Sequence, residues 1–358
     1  MNMYLLTLLA ACNRDGGPLL PTSAPGEGPE PVTLPATEPV ETGRSLKFAE
    51  HGDRVAAADL DGDGVDEMLF VRDGLIFSGT EQVAAVGGLL QSAARGDIDG
   101  DGNEEAVLGF GEGRGFRDAL AEVWAIHDDR VERLWSRDGE RNQITDLHVV
   151  DGKVFVVAFA SAKGAEGGWL EGGEFTPIHS VQMGAAQHPL PGGEVLVGRL
   201  YGDEPRSDGD LTVRKDGHTI ETLPVLRGVK SLLAVQLDDD PELEVLVGDG
   251  WHYQYGLRAQ GHLQLLDGID LDRSRSIALL PESYAINRIE LVRGSSPSSN
   301  SLLLTGASTV HHLKRDHLGW SDTRLETVSE TGNAVVVYLE DGPWALISGS
   351  PATLVPLD

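Results

Sequence analysis

An all-β fold assembled from repeated four-stranded units is predicted for this 358-residue chain by three observations. Strongly apolar runs recur along it, at Met68–Val71, Ala106–Gly109, Val154–Ala160, Val195–Gly198, Val245–Gly248, Leu302–Gly306 and Trp344–Ser348. Their mean spacing is roughly 45 residues, the length of one blade in a radially repeated β protein. Between them lie short segments broken by Gly, Asp and Pro, with no sustained 3.6-residue apolar period to signal a long amphipathic helix. A sheet of four short strands buries too little surface to stand alone, so neighbours must pack face to face around an axis. The expectation is a β-propeller with seven four-stranded blades; irregular turns in the middle third leave six or eight open.

The segment before these units is of another kind. Residues 1–12 form a short apolar stretch followed by small residues and Cys12, the only cysteine, so no intrachain disulfide exists. The run is too short to span a bilayer. Leu9-Ala10-Ala11-Cys12 resembles a bacterial lipobox, although no Lys or Arg precedes the apolar stretch. That resemblance implies a signal peptide over 1–12 and lipidation at Cys12. Seven of the eighteen prolines follow, between Pro18 and Pro39, amid Gly, Glu, Thr and Ser. Residues 13–44 therefore read as an extended tether, reaching up to roughly 100 Å at about 3.1 Å per residue.

The repeated units occupy residues 45–358. The last of them offers strands near Ala334–Leu339, Trp344–Ser348 and Thr353–Leu357 and is one strand short. Leu46-Lys47-Phe48-Ala49 precedes the first unit and has no partner of its own. Pairing this N-terminal strand into the last blade removes an exposed edge and closes the ring.

Two nonapeptides carry the clearest chemistry. Asp59-Leu60-Asp61-Gly62-Asp63-Gly64-Val65-Asp66-Glu67 and Asp97-Ile98-Asp99-Gly100-Asp101-Gly102-Asn103-Glu104-Glu105 start 38 residues apart. Both place carboxylates at positions one, three, five and nine, with Gly at six. Four carboxylates about 5 Å apart repel by ~3 kcal/mol per pair at an effective dielectric near 20, which favours a bound hard cation. An EF-hand loop needs Glu at position twelve between helices. Position twelve here is Phe70 or Leu108, inside apolar runs, so that reading fails.

The pattern D-x-D-G-D-G-x-x-E entering a strand resembles the FG-GAP/VCBS repeats, including those of integrin α-subunit propellers. The resemblance implies Ca²⁺ bound between the first and second strands of a blade. Asp59, Asp61, Asp63 and Glu67 would supply side-chain oxygens and Val65 its carbonyl; Asp97, Asp99, Asp101, Glu105 and the Asn103 carbonyl are the equivalents. A weaker third loop runs from Gln236 through Asp238 and Asp240 to Glu244, with Pro241 in the place of the turn glycine. Pro fixes φ near −65° and resists that turn. The corresponding segments at Leu190–Gly193 and Arg293–Ser296 lack ligands and read as simple turns.

Other motifs carry less. Arg95-Gly96-Asp97 spells an adhesion tripeptide, but Asp97 is already the first residue of a cation loop. Gly109–Gly115 lacks the following helix that a phosphate-binding loop requires. His311 and His312 alternate on a strand and so face opposite ways, which argues against joint chelation with His317. No local motif of a metalloprotease, serine hydrolase or P-loop occurs, and no enzyme is expected.

The formal charge of −29, from 57 acidic and 28 basic residues, disfavours nucleic acid. Long connections after second strands offer recognition candidates on the face opposite the cation loops: Arg114 and Arg117; Tyr201 and Arg206; Trp251, His252, Tyr253 and Tyr255. The sequence thus predicts a monomeric, lipid-anchored, calcium-stabilised propeller of the bacterial cell envelope that binds or scaffolds protein or glycan. The alternatives are a polysaccharide lyase or hydrolase on the same fold, or an envelope-assembly subunit.

Overall fold

The computed structural model of the chain describes residues 46–48, 54–111, 119–139, 142–160, 164–181, 184–199, 209–224, 228–238, 240–251, 258–267, 275–316, 319–327, 332–349 and 351–357. Twenty-eight strands form seven four-stranded antiparallel sheets arranged as a β-propeller. Strand β1 (Leu46–Phe48) comes first. Blade 1 is β2 (Arg54–Ala58), β3 (Glu67–Arg72), β4 (Leu75–Ser78) and β5 (Glu81–Ala85). Blade 2 is β6 (Leu89–Gly96), β7 (Glu105–Gly111), β8 (Ala119–Ile126) and β9 (Val131–Gly139). Blade 3 is β10 (Gln143–Val150), β11 (Lys153–Ala160), β12 (Gly164–Glu171) and β13 (Glu174–Val181). Blade 4 is β14 (Gly184–Pro189), β15 (Val195–Arg199), β16 (Asp210–Lys215) and β17 (His218–Pro224). Blade 5 is β18 (Ser231–Val235), β19 (Glu244–Trp251), β20 (Arg258–Leu266) and β21 (Arg275–Tyr284). Blade 6 is β22 (Ile286–Val292), β23 (Ser301–Gly306), β24 (Thr309–Asp316) and β25 (Gly319–Thr327). Blade 7 is β26 (Ala334–Leu339), β27 (Gly342–Ile347) and β28 (Ala352–Pro356), completed by β1.

The seven apolar runs of the sequence are the seven second strands, β3, β7, β11, β15, β19, β23 and β27. Their continuity of apolar residues follows from packing, since a blade in a ring is covered on both faces. Seven apolar clusters fill the seven seams between adjacent blades. Strand β2 shows the division: Val55 and Ala57 join the seam with blade 7, while Ala56 and Ala58 join the seam with blade 2. The glycines that end several of these runs serve the same seams. A Cβ on Gly109 would fall 2.5 Å from Ile144 Cγ2 of blade 3, and one on Gly248 would fall 3.0 Å from Ile286 Cβ of blade 6. A missing side chain there lets the next inner strand approach.

The first strand of each blade is innermost. β2, β6, β10, β14, β18, β22 and β26 contact one another in turn, and β26 meets β2 to complete the circle. Side chains enter the central channel: Arg288 Nη2 of blade 6 reaches the Ala93 carbonyl of blade 2 at 2.9 Å. Burial, with Arg288 beside it, pulls Arg54 down to about 10.

Closure occurs where the sequence places it. Leu46 pairs with Leu354, Lys47 with Thr353 and Phe48 with Ala352, making β1 the outer strand of blade 7. Further clamps hold the seam between blades 7 and 1. Asn333 accepts from Val55 N at 3.0 Å and donates to Val55 O at 2.8 Å. Asp66 N donates to Tyr338 O at 2.8 Å, and Tyr338 N donates to Asp66 Oδ2 at the same distance. Cys12 and the tether lie outside the described residues.

Candidate metal centres

Antiparallel order puts the connections between first and second strands, and between third and fourth, at one end of the ring. Both nonapeptides are first-to-second connections, in blades 1 and 2, and the third acidic loop is the same connection in blade 5.

Each loop is wound around its own carboxylates. In blade 1, Asp63 N donates to Asp61 Oδ1 at 3.1 Å and Val65 N to Asp63 Oδ1 at 2.8 Å. Gly64 N donates to Asp59 Oδ2 at 3.0 Å and Leu60 N to Glu67 Oε2 at 2.7 Å. Blade 2 repeats all four bonds. Asp101 N donates to Asp99 Oδ1 at 3.2 Å, Asn103 N to Asp101 Oδ1 at 2.8 Å, Gly102 N to Asp97 Oδ2 at 3.1 Å and Ile98 N to Glu105 Oε2 at 2.8 Å. The third loop keeps three of the four: Asp240 N to Asp238 Oδ1 at 3.2 Å, Glu242 N to Asp240 Oδ1 at 2.8 Å and Leu237 N to Glu244 Oε2 at 2.5 Å. The missing bond is the one from position six, where Pro241 has no N–H. Gly64 and Gly102 hold φ of +89° and +98°, a region closed to proline. Gln236 Nε2 instead donates to the Asp240 carbonyl.

These turns gather oxygens. Asp59, Asp61 and Glu67 bring one ligand atom each within 4.8 Å of one another, as do Asp97, Asp99 and Asp101, and Asp238, Asp240 and Glu244. Asp59 Oδ1, Gln236 Oε1 and Glu244 Oε1 are buried acceptors with no hydrogen-bond partner. An orphaned buried acceptor is costly, and an oxygen-seeking cation supplies the missing partner, so the donor set fits Ca²⁺. The position-nine carboxyls feel the crowding. Burial pushes Glu67, Glu105 and Glu244 above the ordinary glutamate value, against the pull of the Leu60, Ile98 and Leu237 N–H groups, and neighbouring aspartates push further.

The loops also join blades. Asp59 O accepts from Glu104 N at 3.0 Å, linking the first two loops directly. A Cβ on Gly62 would collide with Asn103 Oδ1. Gln236 O accepts from Asn300 Nδ2 at 3.0 Å, and Leu237 O from Arg315 Nη1 at 3.0 Å, both from blade 6. Position eight is a functional residue that the ligand template passes over. Asp66 Oδ2 takes Arg95 Nη1 at 2.5 Å as well as Tyr338 N, so one carboxylate binds blades 7, 1 and 2. Arg95 also stacks 5.0 Å over the Tyr338 ring. The acidic residues at position eight of both nonapeptides, Asp66 and Glu104, were the available signal.

The remaining candidates separate. Arg95 and Asp97 of the adhesion-like tripeptide are occupied, Arg95 by Asp66 and Asp97 by Gly100 N at 2.6 Å and Gly102 N. His311 Nδ1 meets Asp322 at 2.9 Å and its Nε2 meets Thr309 Oγ1 at 2.9 Å, while His312 Nε2 meets Ser301 Oγ at 2.8 Å. His317 lies outside the described residues, as do Arg114, Arg117, Tyr201, Arg206, His252, Tyr253 and Tyr255; Trp251 is placed only as the last residue of β19. The segments at 190–193 and 293–296 are the first-to-second connections of blades 4 and 6. They close on backbone and on Asn300 and serine hydroxyls, with Leu190 N bonded to Glu194 O at 2.8 Å and Gly294 N to Asn300 Oδ1 at 2.8 Å. No protein-family profile matches the sequence, and no curated protein matches it.

Proposed function

We propose that the ring is a calcium-stabilised binding or scaffold module of the FG-GAP/VCBS type. Asp59, Asp61, Asp63 and Glu67, and Asp97, Asp99, Asp101 and Glu105, hold Ca²⁺ with the Val65 and Asn103 carbonyls; the Gln236–Glu244 loop holds it more weakly. The observation that carries this reading is the convergence of carboxylates in three equivalent loops, two of which contain buried, unpartnered acceptor oxygens. Every cation so placed sits beside a contact between blades, so its work is to stiffen the ring.

With one end of the ring committed to cations, partner recognition belongs to the long second-to-third connections at the other end. The partner is a protein or glycan of the cell envelope, reached from a lipid anchor on Cys12, and the ring acts without catalysis. The test is calorimetry and thermal melting of chelator-stripped protein with and without Ca²⁺. Saturation at 100 times the dissociation constant of one site adds about 2.7 kcal/mol. Absence of bound calcium, with melting indifferent to EGTA, overturns the reading of the loops. Unchanged crosslinking to envelope components after Trp251→Ala and Tyr253→Ala overturns that of the opposite end.

A further inference from the structure

His127 distinguishes the second loop from the other two. Ala106 pairs with Ile126, so Glu105, the first residue of β7, and His127, just past the end of β8, stand opposite one another. The same register sets Asp267 opposite Glu244 in blade 5 and Thr80 opposite Glu67 in blade 1. Only the second loop receives an imidazole. His127 is 7% exposed and Glu105 is 1% exposed. Neither ring nitrogen of His127 makes a hydrogen bond, although Nδ1 lies 3.2 Å from Glu105 Oε1 and 3.7 Å from Asp99 Oδ2. Asp99, Glu105 and His127 each bring a ligand atom within 4.8 Å of the others.

A buried imidazole at these distances from two carboxylates, yet misaligned for hydrogen bonding, has the spacing of ligands around one ion. Donors bound at about 2.1 Å and separated by angles of about 90–120° lie about 3.0–3.6 Å apart. We propose that the second loop is a mixed nitrogen–oxygen site, ligated by His127 Nδ1 with Asp99 and Glu105, that takes a divalent first-row transition-metal ion of the Mn²⁺ or Zn²⁺ kind. Imidazole suits Zn²⁺ and the two carboxylates suit Mn²⁺, while the all-oxygen sets of the other loops suit Ca²⁺. Arg130 Nη2 lies 2.8 Å from Asp99 Oδ2, and this half-exposed guanidinium must turn outward as the ion enters. The proposal rests on the cation-loop reading above and, for blade 2 alone, replaces Ca²⁺ by the ion that His127 favours.

The experiment loads the chelator-stripped full chain with Mn²⁺ in the presence of excess Ca²⁺ and reads electron spin-echo modulation from nitrogen bound to the metal. Modulation from one imidazole is expected, with loss of that signal and at least a tenfold weaker Mn²⁺ affinity in His127→Gln. His218→Gln, which removes an exposed imidazole on β17 of blade 4, keeps the signal. No nitrogen modulation in the wild type, or modulation that persists in His127→Gln, overturns the proposal. Calcium bound at the first loop in that same sample, and lost in Asp59→Asn, shows that the general reading survives such a failure.

Discussion

His312 is 3% exposed on β24, hydrogen-bonded to Ser301 Oγ, with Lys314 two residues along the strand. Burial, and to a lesser degree Lys314, pulls its pKa down to about 4. The sign of the consequence follows from proton counting. Below about pH 6.5 the unfolded chain takes up a proton at this position and the folded ring refuses it, so stability is lost as pH falls from about 6.5 to about 4. A shift of that size is worth up to about 3 kcal/mol. Denaturant titrations across this interval should therefore show a steeper acid loss in the wild type than in His312→Gln, which keeps a polar partner for Ser301 and cannot titrate. Equal slopes would mean that His312 is protonated within the fold. His188, pulled well below the ordinary histidine value by burial and by His148, adds acid sensitivity in the same direction, so the variant removes part of the slope.

The loop is the element in which chemistry and fold meet, and most of it was legible. Positions one, three, five and nine could be counted from Asp59 and Asp97, and the strand that follows was marked by its apolar run. The neighbours of the loop were not legible. Asp66 meets Tyr338 across 272 positions of sequence, and His127 meets Glu105 only through the register of β7 with β8. Such contacts carry no local signal, because ring closure and strand pairing create them. Pro241 is the informative departure. It removes the N–H that Gly64 and Gly102 give to position one, and it cannot adopt their positive φ. The remaining three bonds still gather Asp238, Asp240 and Glu244. Restoring both lost features with Gln236→Asp and Pro241→Gly should tighten calcium at this loop by at least tenfold, read by calorimetry in a chain whose first two loops are disabled. Unchanged affinity would show that position six is dispensable to the ion.

For the whole molecule, each seam depends on its neighbours, and one seam is special because it joins the two ends of the ring. Its presence was legible from Leu46-Lys47-Phe48 lacking a partner and from the last unit lacking a strand. The means by which it is locked were not, since Asn333 clasps Val55 and Asp66 clasps Tyr338 from opposite ends of the sequence. The first acidic loop and the closing strand therefore both act on blade 7, the loop through Asp66, which grips Tyr338 of β26, and the strand by covering the edge of β28. A chain truncated before residue 45 keeps β1, and one truncated before residue 50 loses it. The longer truncation should cost about 2–4 kcal/mol from lost backbone pairing and the exposed edge, while the shorter costs nothing. On the proposed reading calcium would hold the first loop and, through Asp66, its grip on blade 7, so the difference between the two truncations should be larger in EGTA than in millimolar Ca²⁺. Equal melting of both truncations would show that blade 7 is complete with three strands. A difference independent of calcium would uncouple the first loop from the closure of the ring.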